Sequence, residues 1–354
     1  MIRVSILILL VSLFLFSKSA SPQQTNVHRY QVYDLKTNNS IRAIEALNDS
    51  TLWFSASGGI YGFTQDGGQH WKIDSMKIES LTPDFRSLAV LNEQTVLLLN
   101  AGSPAFIMKS TDRGKVWKTV YKNDSKEIFF DAMKFSDGTS GYALADPIEG
   151  QFQILATNDS GDHWDMMRNL PAAFMGEACF ASSNSGIDIT HNTIWIGSGV
   201  SYNRVLSFGN ESGHWSSTTA LVQCCGPLQG IFSLDFYDDQ NGIVVGGDYS
   251  RKSKTDSTAA ITKDGGQSWK IISSGVLPFG SCVKFQPASN AKTIFIACLP
   301  GIYFSNDAGE SWKKLDDESG KEINDSYFVL DFSPSGKTLW LAGANGKIAR
   351  VQLK

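Results

Sequence analysis

The stretch Thr262–Ile272, TKDGGQSWKII, decides the fold. It recurs as TQDGGQHWKID (64–74), STDRGKVWKTV (110–120), TNDSGDHWDMM (157–167) and SNDAGESWKKL (305–315). A worn copy, FGNESGHWSST (208–218), has Asn210 where the others have Asp66, Asp112, Asp159, Asp264 and Asp307. The common form is Ser/Thr-x-Asp-x-Gly-x-x-Trp, followed by a short strand. A carboxylate at this place accepts hydrogen bonds from backbone N–H groups of its own turn. The glycine supplies the positive φ that a tight hairpin needs. The tryptophan (Trp71, Trp117, Trp164, Trp215, Trp269 or Trp312) offers a flat surface to a neighbouring unit.

The box positions 66, 112, 159, 210, 264 and 307 are spaced by 46, 47, 51, 54 and 43 residues. That period suits one four-stranded propeller blade per repeat. Each repeat opens with an alternating strand such as IRAIEAL (41–47) or IFSLDFY (231–237). An apolar second strand follows, as in TLWFSAS (51–57), TIWIGSG (193–199) and TIFIACL (293–299). Trp53, Trp195 and Trp340 fall in second strands and read as core. First strands number seven. The seventh repeat, from Ser326, has three strands and no box. The isolated segment 28–36, HRYQVYDLK, is therefore expected to supply its outer strand and close the ring. The expectation is an all-β, seven-bladed β-propeller over residues 20–354.

On these residues the chain resembles the Asp-box, or BNR-repeat, propellers of the sialidase-like superfamily. Sialidases, xyloglucanase-type hydrolases, sortilin-type receptors and photosystem II assembly-factor propellers share that fold. The runs DFRSLAV, NAGSPAFIMKSTD, FFDAMKF, ADPIEGQF, GEACFA, GIFSLDF, VVGGDY and GSCVKF are similar to a bacterial-type family of single propellers labelled BNR-like repeat proteins. Some members carry the labels oxidoreductase or photosystem assembly factor-like.

Residues 1–19, MIRVSILILLVSLFLFSKS, read as a cleaved secretory signal: Arg3, an apolar run to Phe16, then Ser17 and Ser19 before Ala20. An uncleaved anchor is the competing reading. The expectation is a secreted or extracytoplasmic monomer with no membrane span after cleavage. The formal net charge is −4, and with Arg3 and Lys18 removed 29 basic residues face 35 acidic ones. That balance argues against a nucleic-acid partner. Six sequons, at Asn38, Asn48, Asn123, Asn158, Asn210 and Asn324, matter only in a eukaryotic secretory pathway.

Five cysteines in an exported chain invite disulfides. If Gln286 pairs with Ile294, Cys282 stands opposite Cys298 and a cross-strand bridge follows. Cys179 has Cys224 or Cys225 as partner, or Cys179 and Cys282 are reduced core residues.

First strands line the central channel of a propeller. Their alignment gives one column, Arg42, Arg86, Asp131, Glu177, Ser233, Cys282 and Val329, joined from nearby loops by Asp146, Tyr202, Arg204, Asp248 and Tyr249. Converging polar groups in a concavity make the expected ligand site; an ion-pair network locking the blades is the competing reading. The first functional reading is a non-catalytic scaffold that binds an extracellular polysaccharide or a protein partner through this face. The second is a glycoside hydrolase using Asp131 and Glu177 as paired carboxylates, although no Phe/Tyr-Arg-Ile-Pro motif is present. The third is an assembly or chaperone factor like the photosystem-associated propellers. The sequence has no dinucleotide fingerprint, no Cys-x-x-Cys and no haem motif. His70, His163 and His214 sit on separate hairpins, so no cofactor and no metal site is expected.

Overall fold

The computed structural model describes residues 27–191, 193–209, 211–272 and 275–354. The expected signal segment and the worn-box Asn210 lie outside them. Seven antiparallel blades form a ring, and a single 3₁₀ turn, Tyr249–Arg251, is the only helical element among the described residues. The inner strands are Ile41–Ala46, Phe85–Val90, Phe130–Phe135, Ile187–Ile189, Gln229–Phe236, Gly280–Phe285 and Val329–Phe332.

Each of the five intact boxes is a small knot with the same bonds. At the third-to-fourth strand hairpin of blade 5, the Thr262 hydroxyl donates to Asp264 Oδ1 (2.8 Å) and accepts from the Gly266 N–H (2.8 Å). Asp264 Oδ1 also accepts from the Ser268 N–H (2.9 Å). Thr64/Asp66, Ser110/Asp112, Thr157/Asp159 and Ser305/Asp307 repeat it. The box glycines have φ between +73° and +92°. At Gly161 a β-carbon would also lie 2.5 Å from Leu97 of the preceding blade. Box tryptophans then pack between blades: Trp117 donates to the Tyr61 hydroxyl (2.9 Å) of blade 1, and Trp269 to Thr218 (3.1 Å) of blade 4. The second-strand residues Trp53, Trp195 and Trp340 are buried, and burial of a ring this size contributes roughly 4–6 kcal/mol.

The ring closes through Val27–Asp34, which pairs with Lys347–Leu353 as the outer strand of blade 7. Tyr33 crosses to blade 1: its hydroxyl donates to Gly67 O (2.7 Å) and its ring meets Trp71 edge-on.

At the inner ends of the blades a second repeated bond joins neighbours. The carboxylates of Glu45, Asp188, Asp235 and Asp331 accept from the N–H groups of Val90, Phe236, Phe285 and Ala46 (3.1, 2.7, 2.7 and 2.8 Å), each on the next blade. Lys284 pairs with Asp235 (2.7 Å) and Lys134 with Asp188 (3.7 Å).

Blade 4 departs from the pattern. Between Ala178 and Ile187 its chain leaves the sheet and enters the central channel. The Ser182 hydroxyl donates to Phe232 O (3.0 Å), Ser183 to Ser281 O (2.9 Å) and Ser185 to Ser233 (2.7 Å). Asn184 donates to Leu88 O (2.9 Å) and accepts from the Met133 N–H (3.2 Å). Residues 180–186 therefore plug the channel and bind blades 2, 3, 5 and 6.

The expected Cys282–Cys298 bridge is corrected. Ile294 pairs with Phe285, not Gln286, so Cys282 stands opposite Ala297. A one-residue slip reverses faces: Cys282 packs with Tyr327 and Leu330, Cys298 with Leu277 and Val283. Cys179, Cys282 and Cys298 are free and buried, while Cys224 and Cys225 are bonded to each other.

Two outcomes follow from the closure and the inner bonds. Removing residues 1–36 strips blade 7 of its outer strand and exposes the 347–353 edge; thermal melting is expected to lose the cooperative transition, and an unchanged Tm would refute closure. Burial first, and then the charge of Asp331, push the Glu45 carboxyl from 4.5 to about 7. A raised carboxyl pKa favours the protonated folded form, so this contribution is full below about 4.5 and is lost as pH rises through 7. Glu45→Gln is expected to flatten the fall in Tm over that window, as scanning calorimetry at several pH values would show.

Candidate functional site

The channel mouth lies where the inner strands begin, on the face opposite the box hairpins. Five inner strands carry a β-bulge at the same place, and the bulged residues are Arg42, Arg86, Asp131, Phe232 and Ser281. A bulge re-aims its side chain, here toward the channel. Phe328 holds the equivalent place in blade 7, its N–H bonded to Ala342 O (2.8 Å). The aligned column was therefore one residue out of step in three blades: Phe232, Ser281 and Phe328 replace Ser233, Cys282 and Val329.

Half of the mouth is aromatic. Phe180 of the plug stacks on Phe232 (3.9 Å between centroids), Phe232 meets Phe279 edge-on (4.7 Å), and Tyr249 meets Phe279 (5.5 Å). The Arg42 guanidinium lies 4.0 Å above the Phe328 ring. The other half is charged. Arg86 Nε donates to Asp84 Oδ2 (2.8 Å), and Arg86 and Arg42 extend toward the plug carbonyls of Ala181 (3.5 Å) and Ser182 (3.4 Å). Burial, then the like charge of Arg86, pull the Arg42 pKa below its usual value.

Beneath Arg86, Asp131 is 1 % exposed and neither of its oxygens has a hydrogen-bond partner. Burial, then the charge of Asp146, hold its carboxyl well above the usual range, with Arg86 opposing. Asp146 accepts from the Cys179 N–H (2.9 Å), and burial raises its pKa also. In both, burial disfavours the charged form. The plug makes the mouth a blind cup; beyond it the opposite end of the channel opens into a cavity of about 320 Å³ lined by Glu45, Lys134, Ser183, Asn184, Lys284 and Asp331.

Arg42, Arg86, Asp131, Asp146 and Tyr249 thus come together, and four other sequence-predicted residues do not join them. Glu177 precedes the plug and is locked to Arg204 (2.9 and 2.5 Å), with further bonds from Ser198 (2.5 Å) and the Phe174 N–H (2.9 Å). A carboxylate so saturated has no free oxygen for acid–base work, so the Asp131–Glu177 pairing for a hydrolase comes apart. Asp248 caps the 3₁₀ turn, bonded to Ser250, Arg251 and Gln229. Tyr202 lies tilted against Phe174 (4.6 Å between centroids), both rings about half exposed. Among the described residues no group of three or more His, Cys, Asp or Glu is placed to hold a metal ion, and no helix is long and apolar enough to cross a membrane. The sequence reading missed the plug and the aromatic half of the mouth. The signal for the plug was the run CFASSNSG (179–186), too rich in serine and glycine for an inner strand.

No protein-family model matches the chain. A curated relative, the photosystem II assembly lipoprotein Ycf48 of Synechococcus sp. (strain CC9902), is 22 % identical over 276 residues, 68 % of this chain and 78 % of that protein. Among solved structures, Ycf48 bound to D1 peptide is similar with a TM-score of 0.67 at 14 % identity, covering 92 % of this chain and 97 % of that one. Ycf48 from Cyanidioschyzon merolae gives 0.66 at 14 % identity, covering 92 % and 99 %. The WD40 repeats of RRP9 give 0.63 at 12 %, covering 94 % and 99 %. The chain is a seven-bladed propeller that matches Ycf48 in structure. These matches overturn the first functional reading as a secreted glycan-binding scaffold: the curated relative is an assembly lipoprotein, and one of the similar structures is bound to a peptide.

The two buried acids separate by mutation. Glu177→Gln leaves Arg204 uncompensated and is expected to cost about 3–5 kcal/mol. Asp131→Asn removes an unpaired buried acid and is expected to stabilise by on the order of 1 kcal/mol at pH 8. Because the folded pKa of Asp131 is raised, that gain shrinks as pH falls toward 4. Urea melts at pH 8 and pH 4 check both.

Proposed function

We propose that this protein is an extracytoplasmic assembly or chaperone factor of the Ycf48 kind, which holds a segment of a client protein at the channel mouth and catalyses no reaction. The observation that carries this reading is the likeness to Ycf48 in sequence as well as in shape, since the sequence match runs across 276 residues. One Ycf48 structure is bound to D1 peptide. The cup supports it chemically. Aromatic rings supply area at low entropic cost, and guanidinium groups supply directed donors. A blind cup also suits an inserted side chain or loop better than a threaded polymer. The box hairpins support placing the chain among the Asp-box propellers; they face away from the mouth and serve as scaffold. The signal-like segment 1–19 supports export.

Site-specific photo-crosslinking tests the reading. A benzoylphenylalanine at Tyr249, in the mouth, is expected to capture a discrete protein adduct in the producing cell. The same group at Val116, exposed on a box hairpin of the opposite face, is expected to capture none. Equal adducts at both sites, or none at Tyr249 in a protein of unchanged Tm, would overturn it.

A further inference from the structure

The connection from blade 4 to blade 5 carries a feature that client binding does not require. Cys224 and Cys225 are adjacent and joined as a disulfide, whereas the other three cysteines are buried and free. Cys225 is exposed and Cys224 half-buried. Cys225 has a φ of +78°, in the left-handed region, as has Leu221 of the same loop (+54°). Its sulfur lies 3.6 Å from the Ser201 carbonyl oxygen.

The loop around the pair is tied on both sides. Asn203 bonds to Val222 O, and the Gln223 N–H donates to Ser257 O (2.8 Å). Past the disulfide, Leu228 O accepts from the Tyr249 N–H (2.9 Å), and Gln229 donates to Asp248 (3.1 Å). Two direct bonds thus connect the disulfide loop to the turn that sets Tyr249 in the mouth. Leu221 and Leu228 flank the pair and are about half exposed (51 % and 46 %).

We propose that Cys224–Cys225 is a redox-modification site, opened by a dithiol reductant, whose state controls the order of the 220–229 loop and, through Leu228, the placement of Tyr249. The effect on client binding rests on the function proposed above; the chemistry and the loop response do not. A thiolate of the reductant attacks the exposed Cys225 sulfur, and Cys224 leaves as a thiolate and takes a proton. The second thiol of the reductant displaces Cys225 from the mixed disulfide. Two electrons and two protons pass to the protein, and the reductant becomes a disulfide. Once the bond is open, one covalent tie within the loop is gone.

The full chain is alkylated with iodoacetamide under native conditions, before and after dithiothreitol, and mapped by mass spectrometry. No modified cysteine is expected before reduction. After it, modification is expected at Cys224 and Cys225 and not at Cys179, Cys282 or Cys298. Amide exchange at 220–229 and at Tyr249 is expected to speed up by about tenfold or more on reduction, local opening being the cheapest route to exchange. The doubly substituted Cys224→Ser, Cys225→Ser protein should exchange like the reduced form. Two reactive thiols without reductant would overturn the proposal. So would unchanged exchange at Tyr249 after reduction, or a serine variant that behaves like the oxidised protein. A redox response without a crosslink at Tyr249 would leave this site standing and remove the client-binding role.

Discussion

A carboxylate bonded to the N–H groups of its own turn is the interaction on which this molecule depends. In each intact box one Asp oxygen takes the neighbouring hydroxyl and a backbone N–H at once. That fixes a turn with two successive left-handed residues, as at Gly265 and Gly266. The turn in turn places Trp269 against blade 4, where its indole finds Thr218. Local hydrogen bonding thus sets blade-to-blade packing, which an isolated four-stranded sheet could not provide for itself. The arrangement also explains the first position of the motif: Ser or Thr must donate to the carboxylate and accept from the glycine N–H with the same oxygen.

Closing seven such blades leaves a channel, and the chain fills it from one side. Residues 180–186 use small polar side chains because they must reach backbone groups on four blades within a narrow space. Serine hydroxyls serve as donors to Phe232 O and Ser281 O, and Asn184 serves both ways. The bulges then turn Arg42 and Arg86 over the plug. The mouth is thus shaped by an insertion in one blade and by a repeated irregularity in five others. Neither belongs to the repeat that builds the ring.

That division explains what was legible in the sequence. Box spacing, second-strand tryptophans and the lone strand before the first repeat follow from local chemistry and can be counted. The channel column depends on register, and register depends on bulges, which carry no residue signature: Arg42, Asp131 and Phe232 share a place but no chemistry. The same blindness misplaced Cys282 opposite Cys298. Glu177 was misread for a different reason. It stands where an inner strand would begin if blade 4 were regular, and the serine-rich run after it was the sign that blade 4 is not. Arg42, Arg86, Asp131, Asp146 and Tyr249 were recoverable because they lie at strand starts or on the adjoining loops.

Two sets of carboxylates, in the box turns and in the channel, sit in opposite electrostatic surroundings. The box acids Asp66, Asp112, Asp159 and Asp264 are partly exposed and rich in donors, and their pKa values fall: backbone and side-chain bonds from His70 hold Asp66 near 2, and bonds from Ser268 hold Asp264 near 2. They stay charged and serve the scaffold. Channel acids are buried and poor in donors, and their pKa values rise. A carboxyl that keeps its proton does not cancel a nearby guanidinium. Although the chain as a whole is acidic, Asp84 is the carboxylate that pairs with Arg86, at 2.8 Å, while burial disfavours the charged form of Asp131 and Asp146. The mouth therefore presents two guanidinium groups beside a cluster of aromatic rings.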